Sequence, residues 1–543
     1  MASPNEALAS SDNANDVVIQ AAGPWGRWQA RQAVLLALLK LPIAWFQLST
    51  LFLAPKHPHW CGEATSGLEA PVIEAVPNVD ECHSFNWDAS VAEPCNHWEY
   101  NRTVFQETIV SEWDLVCGKS DLTSVAQMVL MFGVLVGNII FGAAADRWGR
   151  RTPLLVAIVV QAVMGVITAF APFLSVFMIL RFLVAVATGG TMVVSFVICM
   201  EVVGGPWRTV VPILYQIPFS LGVFFMAGVA YYLRSWRDLQ LALGLCSVPF
   251  VLYYWLIPES PRWLLAVGRD QEAIAILEEA ARMNGMAEVN VKALLLQSRA
   301  ARAAAGRLPR DQGAAAPVIS GLLRTPRLRR MTLCLFVTWF VTGLVFFGFS
   351  EFQGQMGGDI FVNVAISGLI SVPGPVLCAA LVRVLGRRAV VLGSLITSSA
   401  ATLLILVVPP GVLWGRPLLA GISFLGLSVT FAALYLYSGE LLPTVVRNVG
   451  MGASSMCARV GSMLAPFVVS QRVHGDSVPL LVLGLLPLVG AALLFPLPET
   501  MDCVLPESLQ DGENFCRRRA KEDLQNSNYI QVPLKDVTLT EEG

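Results

Sequence analysis

Residues 141–151 read FGAAADRWGRR, and residues 378–388 read CAALVRVLGRR. Each stretch closes a long apolar block with a glycine and two arginines, the composition of a tight polar turn between two helices. Around these turns the chain repeats itself. Glu201 follows the fourth apolar block, with Arg208 seven residues later; Glu440 follows the fourth block of the second set, with Arg447 seven residues later. The sixth block of each set ends in a related stretch, IPESPRW at 257–263 and PLPET at 496–500. Three matches in register indicate two six-helix bundles related by a pseudo-two-fold axis along the membrane normal. Parallel repeats of this kind belong to alternating-access transporters, with the substrate site between the halves near mid-membrane.

Composition points the same way. Of the 543 residues, 55% are hydrophobic and 14% charged, with a mean hydropathy of +0.61. A soluble protein of this size carries far more charge on its surface. The apolar residues come in blocks of roughly 20, the length of a helix that crosses hydrocarbon. The blocks centre near residues 44, 133, 162, 190, 221, 248, 341, 372, 398, 424, 458 and 488. The expected fold class is an all-α membrane protein of about twelve transmembrane helices. The first thirty residues are polar and no cleavable signal peptide is evident; the first apolar block starts near Ala33. A net charge of −2 argues against nucleic acid as a partner.

Arginine content sets the expected orientation. The DRWGRR turn, the segment 258–330 and RRRAKE in the tail are basic and therefore cytoplasmic. The division is a cytoplasmic N-terminus over 1–32, a first bundle over 33–257, a cytoplasmic helical linker over 258–330, a second bundle over 331–497 and a cytoplasmic tail over 498–543. The long gap 55–121 is then extracellular. It holds Cys61, Cys82, Cys95 and Cys117 and the sequon Asn101-Arg102-Thr103. Two disulfides and a glycan on Asn101 are expected in that oxidising compartment, with three cysteine pairings open. The remaining cysteines are expected as free thiols. In the linker, DQEAIAILEEAARM (270–283) and VKALLLQSRAARAAA (291–305) carry apolar residues at helical spacing.

One residue breaks the apolar pattern. Arg459 stands in SSMCARVGSMLAPF, at the centre of a run long enough to span the bilayer. An arginine there costs about 3 kcal/mol on insertion scales. Its helical neighbours Gly452, Ser455, Ser462 and Met463 form a small, polar face, so the side chain points into the bundle or a wet cavity. A structural ion pair needs a mid-membrane carboxylate, and Glu201, Glu351 and Glu440 all lie near span ends. Arg459 is therefore read as a counter-charge for a substrate carboxylate or a counter-anion. Lys40 in the first block either snorkels to the interface or joins the cavity, with Gln47 two turns along the same face. Tyr215 and Gln216 offer hydrogen bonds, and Trp339, Phe346, Phe347, Tyr435 and Tyr437 offer aromatic walls.

The motifs carry a resemblance. GAAADRWGRR resembles the loop signature of the major facilitator superfamily, and PESPRWL (258–264) is shared by its sugar and organic-ion branches. The long loop ending in EWDLVC (112–117), FVICMEVVGGPWRT (196–209) and SGELLPTVVRN (438–448) are similar to the organic cation, anion and zwitterion transporters of solute carrier family 22. The likeness runs from about Gly26 to Thr500. It implies a cytoplasmic gate of Asp146, Arg147, Arg150, Glu201, Arg208, Glu440 and Arg447, whose ion pairs hold the halves together in one state and break in the other. The second turn departs from the pattern: Arg383 replaces the acid and Val384 the following base. Among the aromatics, Trp339, Phe346 and Tyr437 match cavity positions of that family. The position of Arg459 is basic in its anion and zwitterion carriers and acidic in its cation carriers. Around Pro373, the positions that carry marker charges in relatives hold Ser371 and Pro375.

The expected function is alternating-access transport of small organic ions at the plasma membrane, with both termini cytoplasmic. A carnitine-like zwitterion or an organic anion is favoured, with Arg459, Gln216, Trp339, Phe346 and Tyr437 as substrate contacts. The alternatives are an organic cation carrier, a sugar-type carrier and a non-transporting receptor on the same fold. No metal cluster, nucleotide loop or nucleophile–base pair points to an enzyme, and no cofactor is implied. The expected partners are the substrate, a co- or counter-transported ion and membrane lipid.

Overall fold

The computed structural model describes residues 17–55, 58–61, 82–86, 91–95, 97–205, 207–286, 289–304, 320–354, 358–409, 414–443, 446–471, 475, 477–501, 503, 506 and 509–513. The first bundle contains α1 (Arg27–Leu53), α2 (Asp121–Trp148), α3 (Arg151–Thr168), α4 (Leu174–Val202), α5 (Trp207–Tyr232) and α6 (Trp236–Leu256). The second contains α7 (Pro326–Gln353), α8 (Ile360–Val384), α9 (Arg387–Leu404), α10 (Gly415–Leu441), α11 (Arg447–Ser470) and α12 (Ser477–Leu494).

Eleven of these are long and apolar enough to cross a membrane on that ground alone; α9 falls outside the set. It opens on Arg387 and Arg388 and carries a ladder of hydroxyls. Those hydroxyls are satisfied inside the bundle. Thr402 donates to the Ser398 carbonyl at 2.9 Å, Ser399 to the Gly484 carbonyl at 2.6 Å, and Ser394 pairs with Thr430 at 2.8 Å. A hydroxyl bonded to helix backbone loses most of its polarity to the surroundings.

Both bundles start earlier than their hydropathy does. α1 begins at Arg27, ahead of Ala33, because buried Gln29 donates to the carbonyls of Ala22 and Gly23, both at 3.1 Å. α7 begins at Pro326, where the Glu513 carboxylate accepts from the N–H groups of Arg327 at 3.1 Å and Leu328 at 2.9 Å. The nearby Thr325 hydroxyl and the hydrogen bonds from these two amides hold the Glu513 carboxyl below its ordinary pKa.

The loop between α1 and α2 folds on β1 (His59–Cys61), β2 (His83–Asn86), β3 (Val91–Pro94) and β4 (Trp98–Tyr100), paired antiparallel as β1 with β4 and β2 with β3. Cys61 bonds Cys95 and Cys82 bonds Cys117, which selects one of the three pairings left open by sequence. Glu112 of EWDLVC docks the loop on α6: it pairs with Arg237 and accepts from the Trp236 indole at 2.7 Å. Cys199, Cys246, Cys334, Cys378 and Cys457 are free, but Cys503 is disulfide-bonded, which corrects the expectation for the tail. At the opposite end, the linker forms helices Pro261–Ala266, Asp270–Met283 and Val291–Ala304. These two ends are called the loop face and the linker face below.

The packing is lopsided. On the loop side one core takes residues from both bundles, including Phe52, Phe349, Phe352 and Phe361. Phe52 stacks on Phe361 at 5.5 Å, and Phe105 and Tyr231 close on the same ring at 5.5 and 5.7 Å. Toward the linker face there are two cores, one around Trp28, Ile198 and Tyr215 and the other around Trp339, Leu434 and Tyr437, the second taking only Ile213 of α5 from the first bundle among its buried residues.

Candidate functional site

Arg459 sits where α11 crosses α7. The two backbones touch: a Cβ on Gly343 would lie 2.1 Å from the Ala458 carbonyl oxygen, and one on Gly461 2.1 Å from that of Phe340. Only glycine permits this approach. It sets the Arg459 guanidinium 5.8 Å from the Phe347 ring and 3.0 Å from the Met192 sulfur of α4, across the junction of the bundles. Gln47 of α1 also donates to that sulfur, at 3.9 Å.

Lys40 joins this site and does not snorkel. It is 4% exposed, and its ammonium lies 4.8 Å from the Tyr215 ring. Tyr215 is held in turn by a 2.6 Å hydrogen bond with Ser195. Lys40 and Arg459 repel each other electrostatically. Among the described residues neither has a carboxylate partner, and the Arg459 Nε is buried without a hydrogen-bond acceptor. A thioether is a weak acceptor, so the site holds two buried basic side chains with no acid to balance them. Burying each costs several kcal/mol unless an anion arrives.

Aromatic rings wall this site. Phe346 stacks on Phe424 at 4.9 Å and meets Phe431 edge-on at 5.1 Å. Trp339 meets Tyr435 at 4.6 Å, and Tyr435 reaches Phe196 of the other bundle at 5.7 Å. Of the expected contacts, Phe346 lies beside the Phe347 ring that faces Arg459, at 5.3 Å, whereas Trp339 is buried in the linker-side core with its indole donating to the Ser438 hydroxyl at 2.9 Å. Tyr437 is in that core too, its hydroxyl donating to the Pro498 carbonyl at 2.7 Å. Two residues along a helix is about 200°, so Tyr435 faces the other bundle and Tyr437 the core of its own. Gln216 occupies the break between the two helical segments of α5, where its backbone N–H donates to the Ile213 carbonyl at 3.2 Å.

The charges of the linker face form two copies of one arrangement. At Gly149, with φ of +95°, the chain turns from α2 to α3; at Gly386, with φ of +87°, it turns from α8 to α9. In the first copy the Glu259 carboxylate accepts from the Arg150 and Arg151 N–H groups at 2.8 and 3.2 Å. In the second, Glu499 accepts from Arg387 and Arg388 at 2.7 and 3.0 Å. Arg150 then reaches Glu201 at 3.0 Å, and Arg387 reaches Glu440 at 3.1 Å. Arg208 and Arg447 donate to the carbonyls of Val203 and Leu442 at 3.1 and 3.3 Å. The ion pairs Arg150–Glu201 and Arg387–Glu440 both stay within their own bundle. The Asp146 side chain is 79% exposed and, among the described residues, pairs with Arg150 at 3.2 Å, and Arg147 is exposed. Glu259 and Glu499 were missed as site residues, although the PES and PET stretches that hold them had been paired by sequence.

The sugar (and other) transporter family profile matches residues 73–507. An organic cation transporter protein of Drosophila melanogaster is 34% identical, covering 94% of this chain and 96% of its own length. Organic anion transporter 3 of Oryctolagus cuniculus is 33% identical, over 92% of this chain and 93% of its own. Solute carrier family 22 member 3 of Rattus norvegicus is 32% identical, over 94% and 99%. The solved structure of the xylose transporter XylE from E. coli, in an inward-open conformation, superposes with a TM-score of 0.60 at 14% identity, over 89% of this chain and 98% of that one.

Proposed function

The chain belongs to solute carrier family 22, within the sugar (and other) transporters of the major facilitator superfamily, and from that premise we propose that it carries small organic ions bearing a carboxylate. The observation that carries this is the pair Lys40 and Arg459, buried together without an acid. A substrate carboxylate supplies the missing charge. The guanidinium offers it two parallel hydrogen bonds, which an ammonium cannot reproduce. Plain anions fit two cations well. A zwitterion also fits, its ammonium resting against the aromatic wall of Phe346, Phe431 and Tyr435.

In this reading the loop face is extracellular at the plasma membrane, and the linker and both termini are cytoplasmic. The sequon at Asn101, whose side chain accepts from the Thr103 N–H at 3.0 Å, supports that placement of the loop. Glycosidase treatment is expected to shift the wild type on a gel and to leave Asn101→Gln unshifted; a wild type that does not shift removes the support. The shared loop-side core and the two linker-side cores fit a state closed to the outside.

The test of the substrate reading is uptake by Arg459→Lys and Arg459→Ala at matched surface expression. Three probes serve: an aromatic carboxylate, a betaine and a permanent cation. Losing a charge-assisted contact of about 1.5–3 kcal/mol lowers carboxylate uptake roughly 10- to 100-fold in the Ala variant, less in the Lys variant. A wild type that carries only the permanent cation, or an Ala variant with unchanged carboxylate uptake, makes the arginine structural.

A further inference from the structure

On the loop side, between α1, α2, α7 and α11 and beneath the disulfide-linked loop, lies a cavity of about 730 Å³. It is as large as a site for a small organic molecule. Its walls are mostly apolar, with Leu51, Val116, Pro466 and Val469 among them. Among the described residues its acidic and basic side chains, His59 aside, are of one sign. Glu351 and Asp121 line it, and no lysine or arginine does among the described residues.

Glu351 is the unusual member. It stands one helical turn from Phe347, the ring that faces Arg459, so it lies on the same face of α7 but nearer the loop face. One of its carboxylate oxygens is buried with no hydrogen-bond partner, and it has no ion pair among the described residues. Arg181, the buried arginine of this side, is engaged elsewhere: it donates to the hydroxyls of Ser49 at 2.8 Å and Thr50 at 2.6 Å. A buried carboxylate oxygen with no partner is costly. Here it borders space that a ligand can fill.

We propose that this cavity is a second ligand site, distinct from the Arg459 site, which takes the ammonium group of an organic cation with Glu351 as its counter-charge. An inorganic cation is the poorer fit. Sodium-sized ions need several oxygens converging at bonding distance, whereas this space is large and its walls are chiefly carbon. Asp121, at the start of α2, adds negative potential at the rim, and Gln127 and Ser470 add polar edges to the wall.

The experiment uses the full-length protein in nanodiscs, titrated with tetraethylammonium chloride against equal concentrations of sodium chloride, and follows thermal stability. The wild type is expected to be stabilised by tetraethylammonium and not by sodium. Arg459→Ala is expected to keep that response, which separates this site from the proposed substrate site. Glu351→Gln, which keeps the shape, is expected to bind at least about tenfold more weakly. A second readout guards against a variant that does not fold: in Ser470→Cys, tetraethylammonium slows modification by a charged thiol reagent, followed by the mass of the Ser470 peptide. Equal stabilisation by sodium, wild-type affinity in Glu351→Gln, loss of the response in Arg459→Ala, or unslowed labelling at position 470 overturns the proposal.

Discussion

At Gly149 and at Gly386 the chain leaves one membrane helix and enters the next through the same left-handed turn, and each turn is met by a carboxylate from beyond the sixth span of its bundle. Glu259 and Glu499 occupy the N-termini of α3 and α9, where backbone N–H groups have no intrahelical partner and the helix dipole favours negative charge. The second arginine of each turn folds back in the same way: Arg151 donates to the Tyr254 carbonyl and stacks on its ring, and Arg388 does so at Phe495. The first arginine meets the acid that ends the fourth span. The copies differ at one corner. The first has Asp146 on the surface, and the second has Arg383 in its place.

The difference separates two jobs. Everything that is duplicated satisfies a buried or half-buried backbone or charged group, so it is what the turn needs in order to exist. Asp146 satisfies nothing that Glu201 does not already satisfy. It is therefore available for a contact made only when the bundles close on the linker face, and the second bundle has no acid to match it.

The strongest test of the equivalence removes the carboxylates. Glu259→Ala and Glu499→Ala each leave N–H groups at a helix start without an acceptor. Each is expected to cost about 2–4 kcal/mol of stability, with the two losses equal within about 1 kcal/mol. Thermal unfolding of the purified variants measures both. A large loss in one and none in the other would break the equivalence of the turns. The smaller effect lies at the corner that differs. Asp146→Asn removes an exposed pair worth less than about 1 kcal/mol, so its unfolding temperature stays near that of the wild type. If the acid serves the gate, uptake nevertheless changes at least about fivefold at equal surface level. Arg383→Asp, which gives the second turn an acid, is expected to alter uptake as well. Wild-type uptake in Asp146→Asn would return that residue to an ordinary solvated helix end.

Much of this was legible in the linear chain. Apolar blocks of bilayer length, the GRR turns and the four loop cysteines are local signals. A helix must satisfy its backbone within itself in lipid, so hydropathy alone announces it. α9 shows the limit of that signal, since its hydroxyls count as polar in sequence and as spent once Thr430 and Gly484 are packed against them. The mid-membrane cost of Arg459 was equally plain, because no neighbour in sequence neutralises it.

What packing decided is which face of each helix looks inward and what meets it there. Tyr435 and Tyr437 are indistinguishable by composition, and a rotation of α10 by half a turn would exchange them. Lys40 had two destinations until α5 placed Tyr215 over it. Glu259 and Glu499 read as the ends of spans until the chain, more than a hundred residues later in each case, brought them to the turns they cap. Glu351 read as an interfacial acid until four helices and a loop enclosed it beside a cavity. Hydrophobic length is additive along a chain and can be summed from sequence. The partner of a buried charge is fixed by distance in space, and only the folded bundle supplies that.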